Sequence, residues 1–231
     1  MADYLQVGGL QVAVEYKRIK HLRLTVYPPE GKIKISAPVY CTTRDIEQFI
    51  TSKRDWIEKH RQKYQRHANI KNLSLESGEH HYVWGIPCVL EVIEKKGNPR
   101  IEKEGQSIKL FVRPNTEKKK KAEIMDTWYR SLIQEAAPQF VAKWEPCIGV
   151  KVKGIYYRKM KSHWGSCNYS SQTIRLNTEL AKKSPECLEY VIIHEMVHIL
   201  EPSHNRHFYE IMNKWYPSWK DIRKKMNSGE L

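Results

Sequence analysis

Residues 184–202, reading Ser-Pro-Glu-Cys-Leu-Glu-Tyr-Val-Ile-Ile-His-Glu-Met-Val-His-Ile-Leu-Glu-Pro, constrain this chain more than any other stretch. Ser184-Pro185-Glu186 combines a hydroxyl able to cap, proline at the first helical position and an acid beside the positive end of the helix dipole. Leu188, Val191, Ile192, Ile193, Met196, Val197, Ile199 and Leu200 follow with almost no polar face, which predicts a helix buried in a core. Glu201-Pro202 must end it, because the residue before proline is driven out of the α region and the ring opposes helical continuation.

Into that apolar helix the sequence places His194, Glu195 and His198. Residues four apart lie one turn above each other on one side of a helix, so both imidazoles can reach a single ion about 2 Å from each nitrogen. Glu195 is offset by a rotation of about 100°, which keeps its carboxylate near the metal without forcing it to ligate. The turn at Pro202 lets the chain fold back and present His204 as a third ligand, an outcome that a continued helix would prevent. Three protein ligands with one open position are what a catalytic zinc requires, whereas a structural zinc is closed by four. Left unpaired in a core, the two imidazoles and the carboxylate would be costly, and one metal ion satisfies them together. The pattern predicts a zinc-dependent hydrolase in which Glu195 is the general base toward a water that Zn2+ acidifies to a pKa near ~7. Glu201, three residues past His198, is an alternative ligand, and His207 is read as a structural residue or a neighbour of the site.

The rest of the chain divides into a β-rich first part and a helical second part. Leu22, Leu24 and Val26 alternate with polar residues, and Lys32-Ile33-Lys34-Ile35 alternates again after the turn-forming Pro28-Pro29-Glu30-Gly31, which predicts a hairpin. Thr42 or Thr43 caps a helix whose apolar positions are Ile46, Phe49, Ile50, Trp56 and Ile57. Tyr82–Val83, Cys88–Val92 and Ser107–Val112 read as strands. Beyond Pro114, Ile124, Trp128, Leu132, Ala136, Phe140 and Trp144 recur at every fourth residue, a long helix that Pro138 is expected to kink or break. Val150, Val152 and Ile155–Tyr157 look strand-like, and Ile174-Arg175-Leu176-Asn177 is either a sheet edge open to an extended peptide or an ordinary internal strand. Trp128, Trp144, Trp215 and Trp219 are read as core anchors, and no sequence repeat is evident. The expected domains are 1–113, a β-rich module with one helix, and 114–231, the catalytic half.

Composition narrows the setting. The five cysteines are widely spaced with no Cys-x-x-Cys pair, as expected of buried thiols. No apolar run approaches the roughly 18 residues of a membrane span, and the first residues carry no secretory pattern, so a cytoplasmic protein with no membrane partner is expected. Forty Lys and Arg against 26 Asp and Glu give a net charge of +14, which favours acidic partners such as nucleic acid. The densest cluster is Lys118-Lys119-Lys120-Lys121, a pattern that most often marks a solvated face.

The stretch Tyr157 to Cys167, containing Ser162-His163-Trp164-Gly165-Ser166-Cys167, resembles the YgjP-like metallopeptidase family together with three later blocks. These are Ile174 to Asn177, His194 to His198, and His204-Asn205-Arg206-His207-Phe208-Tyr209. The likeness extends weakly through the N-terminal strands and the Trp56-Ile57 helix. It implies zinc ligation by His194, His198 and His204, a general base at Glu195, and an α+β fold of the zincin type. In that fold an active-site helix lies under a small sheet, here preceded by the β-rich N-terminal module. It implies protein or peptide substrates, and the family's similarity to SprT-like proteases adds DNA or a DNA-bound protein as a partner. His163 stands where that family has Arg, and Tyr209 where Trp is common. The chain is no metzincin, since residue 201 is Glu where that clan has Gly and no Met-turn follows.

Several readings stay open. Tyr209, His163 and Arg158 are all able to stabilise an oxyanion, and the sequence does not rank them. A nucleic-acid-associated binding protein with a structural or vestigial zinc, and a zinc hydrolase of a non-peptide amide, are the competing functions.

Overall fold

The computed structural model describes residues 3–27, 31–61 and 74–228. Its contacts group the chain into two compact units, Met1–Leu73 and Ser74–Leu231. The strands between residues 80 and 112, assigned to the first module on sequence, thus share a unit with the histidine-bearing helix. One hydrophobic core explains this: Val83, Cys88, Leu90, Ile108 and Leu110 bury against Met125, Tyr129 and Ile133 and run on to Leu188 and Ile192.

The first unit is a four-stranded sheet with helices. Its strands are β1 (Asp3–Val7), β2 (Leu10–Lys17), β3 (Arg23–Tyr27) and β4 (Lys32–Pro38), in the order β1-β2-β4-β3. Strands β3 and β4 pair antiparallel, as the alternating residues predict, while β2 and β4 run parallel. The turn expected at Pro28-Pro29-Glu30 lies outside the described residues. Helix α1 (Thr43–Ser52) begins with a reciprocal cap: the Thr42 hydroxyl accepts from the Asp45 backbone N–H, and Asp45 Oδ2 accepts from the Thr42 N–H. The helix turns out at Lys53 and resumes as α2 over residues 54–61. Ile46, Ile50 and Ile57 enter the core, whereas Trp56 is 41% exposed and stacks on His60.

The second unit opens with β5 (His80–Val83), β6 (Ile86–Glu94), β7 (Arg100–Glu104) and β8 (Ser107–Val112), in the order β5-β6-β8-β7. This is the same arrangement as β1-β2-β4-β3, parallel central pair included, so a topological repeat exists where the sequence shows none. The leading hairpins match as well. Each turns on two residues of positive φ, Gly8-Gly9 and Trp84-Gly85, the backbone that lets a two-residue loop follow the strand twist.

Helix α3 (Lys118–Ile148) runs through Pro138 without a break. An interior proline costs about 3 kcal/mol. The stripe Met125, Tyr129, Ile133, Ala137, Val141 and Ile148 is buried, and each large apolar side chain contributes roughly 1.5–3 kcal/mol, so tertiary burial wins. The fully buried stripe sits one position along from the residues whose period marks the helix. Trp128, Leu132 and Phe140 flank it, half-covered.

A three-stranded sheet of β9 (Gly154–Arg158), β10 (Gly165–Asn168) and β11 (Thr173–Asn177) follows, in the order β10-β11-β9. Strand β11 is therefore the internal strand, parallel to β9 and antiparallel to β10, and the edge proposed at residues 174–177 belongs instead to β10. A 3-10 turn (Thr178–Lys182) leads into α4 (Pro185–Leu200), which packs beneath β10 and β11 and against α3. Proline occupies the start of α4 as predicted, but the Ser184 hydroxyl lies 3.6 Å from Cys187 Sγ and makes no cap bond to the backbone. Helices α5 (Arg206–Trp215) and α6 (Trp219–Ser228) then return to pack on α4. No helix among the described residues is long and apolar enough to cross a membrane.

Candidate active site

Helix α4 buries Leu188, Val191, Ile192, Ile193, Met196 and Val197, which fixes its rotation and brings the rings of His194 and His198 together, 4.8 Å between centroids. The chain leaves the helix at Glu201, whose extended φ of −135° and ψ of 100° are those expected before proline. Asn205 then caps α5 by accepting from the Phe208 N–H at 3.0 Å. Between these two ends His204 returns to its partners, with its Nε2 3.0 Å from His194 Nε2. One ligand atom from each of His194, His198 and His204 lies within 4.8 Å of the others. Two imidazoles sharing a tetrahedral ion at about 2.0 Å each stand roughly 3.3 Å apart, so the donor set fits a metal.

The electrostatics fit too. Burial, and then the neighbouring His198 and His204, push His194 down to about 3, so its ring is neutral and its lone pair available. Burial also lowers His198. The Nδ1–H of His198 donates to the Glu201 carbonyl at 3.0 Å, which leaves its Nε2 lone pair available. Glu201 therefore acts through its backbone, while its carboxylate accepts from the Ser203 N–H and hydroxyl. Glu195 is 5% exposed, and burial raises its carboxyl to about 8. It lines the same cleft, of about 410 Å³, as His194 and His204.

Phe208 supplies the floor. It is fully buried, and its ring centroid lies 5.0, 4.6 and 4.7 Å from those of His194, His198 and His204. Above the helix, β10 crosses at Gly165, and the loop before it presents Ser162, His163 and Trp164 to the cleft. Asn177 holds that loop: its Nδ2 donates to the carbonyls of Met160 and His163, and its Oδ1 accepts from the N–H of Met160 and Glu179.

A family model described as YgjP-like, metallopeptidase domain, matches residues 20–229. The chain belongs to this family. Two solved structures are similar to parts of it, both crystal structures of metallopeptidase zymogens. Abylysin of Pyrococcus abyssi is 19% identical with a TM-score of 0.36, the match covering 38% of this chain and 90% of that one. Jannalysin of Methanocaldococcus jannaschii is 21% identical with a TM-score of 0.36, covering 41% and 96%. No curated protein matches the chain.

As a YgjP-like metallopeptidase domain, the protein is a peptidase that works with a metal ion. Of the proton donors raised on sequence, Tyr209 and His163 line the cleft of this YgjP-like domain, while Arg158 does not. His207 lies on the exposed face of α5, with its Nδ1 3.9 Å from Glu210 Oε2. Sequence reasoning missed Tyr190, Arg223 and Met226, which also line the cleft. Tyr190 carried a signal, being four residues before His194 on one helix face, with its ring centroid 5.8 Å from that imidazole. Arg223 and Met226 carried none, since they reach the site only because α6 docks on α4.

Proposed function

We propose that this protein is a zinc peptidase in which His194, His198 and His204 hold the ion and Glu195 is the general base. The observation that carries the reading is the convergence of three imidazoles, two of which share a cleft with a buried carboxyl. Zinc bound there would polarise the scissile carbonyl and make water acidic enough to give up a proton near neutral pH. Glu195 takes that proton on its carboxylate, the form favoured beside a cation, and passes it to the departing amine. Glu195 lies 5% exposed against Gly165, so little bulk water reaches its carboxylate. Tyr190, Tyr209 and His163 are the donors able to face a developing oxyanion.

The free edge of β10 supports a peptide substrate. No further strand pairs with it among the described residues, so an extended chain can add along Gly165–Asn168 by main-chain hydrogen bonds. The five cysteines are free thiols, which supports a reducing, cytoplasmic setting.

The test joins metal analysis of the purified protein to hydrolysis of an unstructured protein substrate. Zinc near one equivalent, lost in His194→Ala and His204→Ala, is expected, with Glu195→Gln keeping zinc but not hydrolysis. Full hydrolysis by Glu195→Gln would reject the assignment, and zinc retained by both histidine variants would reject the ligand set.

A further inference from the structure

On the peptidase reading above, we infer that the cleft selects acidic peptides, with Arg223, Lys220 and Lys224 of α6 binding carboxylates on one side of the scissile bond. Arg223 belongs to two adjoining cavities. One is the cleft it shares with His194 and Glu195; the other is a shallow depression of about 320 Å³ lined by Trp219, Lys220, Arg223 and Lys224. The reaction site therefore opens onto a strip whose charged groups are all cationic. Glu195 is the one carboxylate lining either cavity among the described residues, and it is committed to the chemistry.

The three cations stand together on one helix. Lys220, Arg223 and Lys224 are spaced three and four apart and share a face. Asp221, the acid of that helix, borders the strip three residues from Lys224 but lines neither cavity. Trp219, Ile222 and Met226 are buried and fix which face looks outward. Among the described residues none of these three cations forms an ion pair with a carboxylate. Two of them lie near the Trp219 ring, Lys220 Nζ at 5.6 Å and the Arg223 guanidinium carbon at 6.0 Å from its centroid. Three cations on one helix beside a reaction site, without a carboxylate partner among the described residues, match several carboxylates in a row better than one chain terminus. A nucleic acid fits less well, because Trp219 is only 7% exposed, stacked on Tyr209 and bonded through Nε1 to Asn213, and so offers bases no stacking face.

The experiment uses the zinc-loaded full chain and internally quenched peptides that share one apolar scissile pair. They carry three Glu, three Gln or three Lys on one side and then on the other, each with a free or an amidated C-terminus. On one side kcat/KM for the Glu peptide should exceed that for the Gln peptide by about tenfold, mostly through KM, and the ratio should shrink at high salt. In Arg223→Gln the ratio should fall toward one, and in Arg223→Glu it should turn in favour of the Lys peptide, a gain that mere structural damage does not produce. Lys224→Gln should lower it in part. Equal rates for the wild type, or a ratio unmoved by Arg223→Gln, would overturn the inference. So would discrimination of the free terminus without discrimination of side chains, or displacement of the Glu peptide by a single-stranded oligonucleotide at lower concentration. Binding of labelled Glu and Gln peptides to zinc-loaded Glu195→Gln protein, followed by anisotropy, separates the two claims. Charge-selective binding without hydrolysis in the wild type supports the acidic preference and removes the peptidase reading alone.

Discussion

A Cβ placed on Gly165 would stand 2.5 Å from Glu195 Oε1 and 2.8 Å from Glu195 Cγ, so the backbone of β10 rests directly on the proposed base. The φ of Gly165 is not in the left-handed region, and only space excludes a side chain there. Gly165→Ala should keep zinc and fold, yet lower kcat on the order of a hundredfold by displacing the carboxylate. Metal content and steady-state kinetics check this; unchanged kcat would mean that Glu195 has room to spare.

Phe208 touches all three histidine rings from beneath, so its loss should be felt both as stability and as metal affinity. Phe208→Ala is expected to cost about 3–5 kcal/mol of unfolding free energy. Phe208→Leu, which refills most of the volume, should recover the larger part. Denaturant unfolding with and without zinc measures both effects, and equal losses in the two conditions would separate the floor from the ligands.

Protonation of Glu195 gives a pH-dependent signature. With its folded value near 8 against an ordinary 4.5, the metal-free protein holds this proton at pH 7 and gives it up when a cation arrives. Zinc binding measured by calorimetry in buffers of different ionisation enthalpy should release up to one proton more from the wild type than from Glu195→Gln. Stability carries the same sign: between pH 4.5 and about 8 the folded metal-free state binds the proton and the unfolded state does not. Metal-free wild type should therefore lose stability relative to Glu195→Gln as pH rises through that window. Parallel stability profiles for the two proteins would contradict the raised value.

Asn177 uses both ends of its amide to hold the loop before β10. Asn177→Asp keeps the acceptor but turns two donor contacts into oxygen facing carbonyl oxygen. It should destabilise by roughly 1–3 kcal/mol and make residues 160–163 sensitive to proteolysis. Thermal unfolding and limited digestion test this, and resistance equal to wild type would place the loop's order elsewhere.

The helix that carries the histidines was legible because its signals are local: proline at its start, proline after its end, and apolar residues all round. His194, Glu195 and His198 stand on it, and His204 follows the proline that ends it. Strand β10 was not legible, since Gly165-Ser166-Cys167-Asn168 has neither alternation nor β-branched residues and becomes a strand only by pairing with β11. Strands β1, β2 and β7 were likewise passed over, as was the unbroken run of α3 across Pro138, where burial outweighs the local cost. Arg223 shows the limit most clearly: sixteen positions beyond His207 in the chain, it borders the site through the packing of α6, a fact of tertiary structure alone.

The three imidazoles all come from residues 194–204, bridged by one turn after a buried helix. Closing so short a loop costs little chain entropy, and the helix that forms its first half is held by the core whether or not an ion is present. Metal uptake is accordingly a local event on a finished scaffold. Chelation should empty the site and leave the folded chain ready for reloading, unlike small zinc domains whose folding waits for the metal.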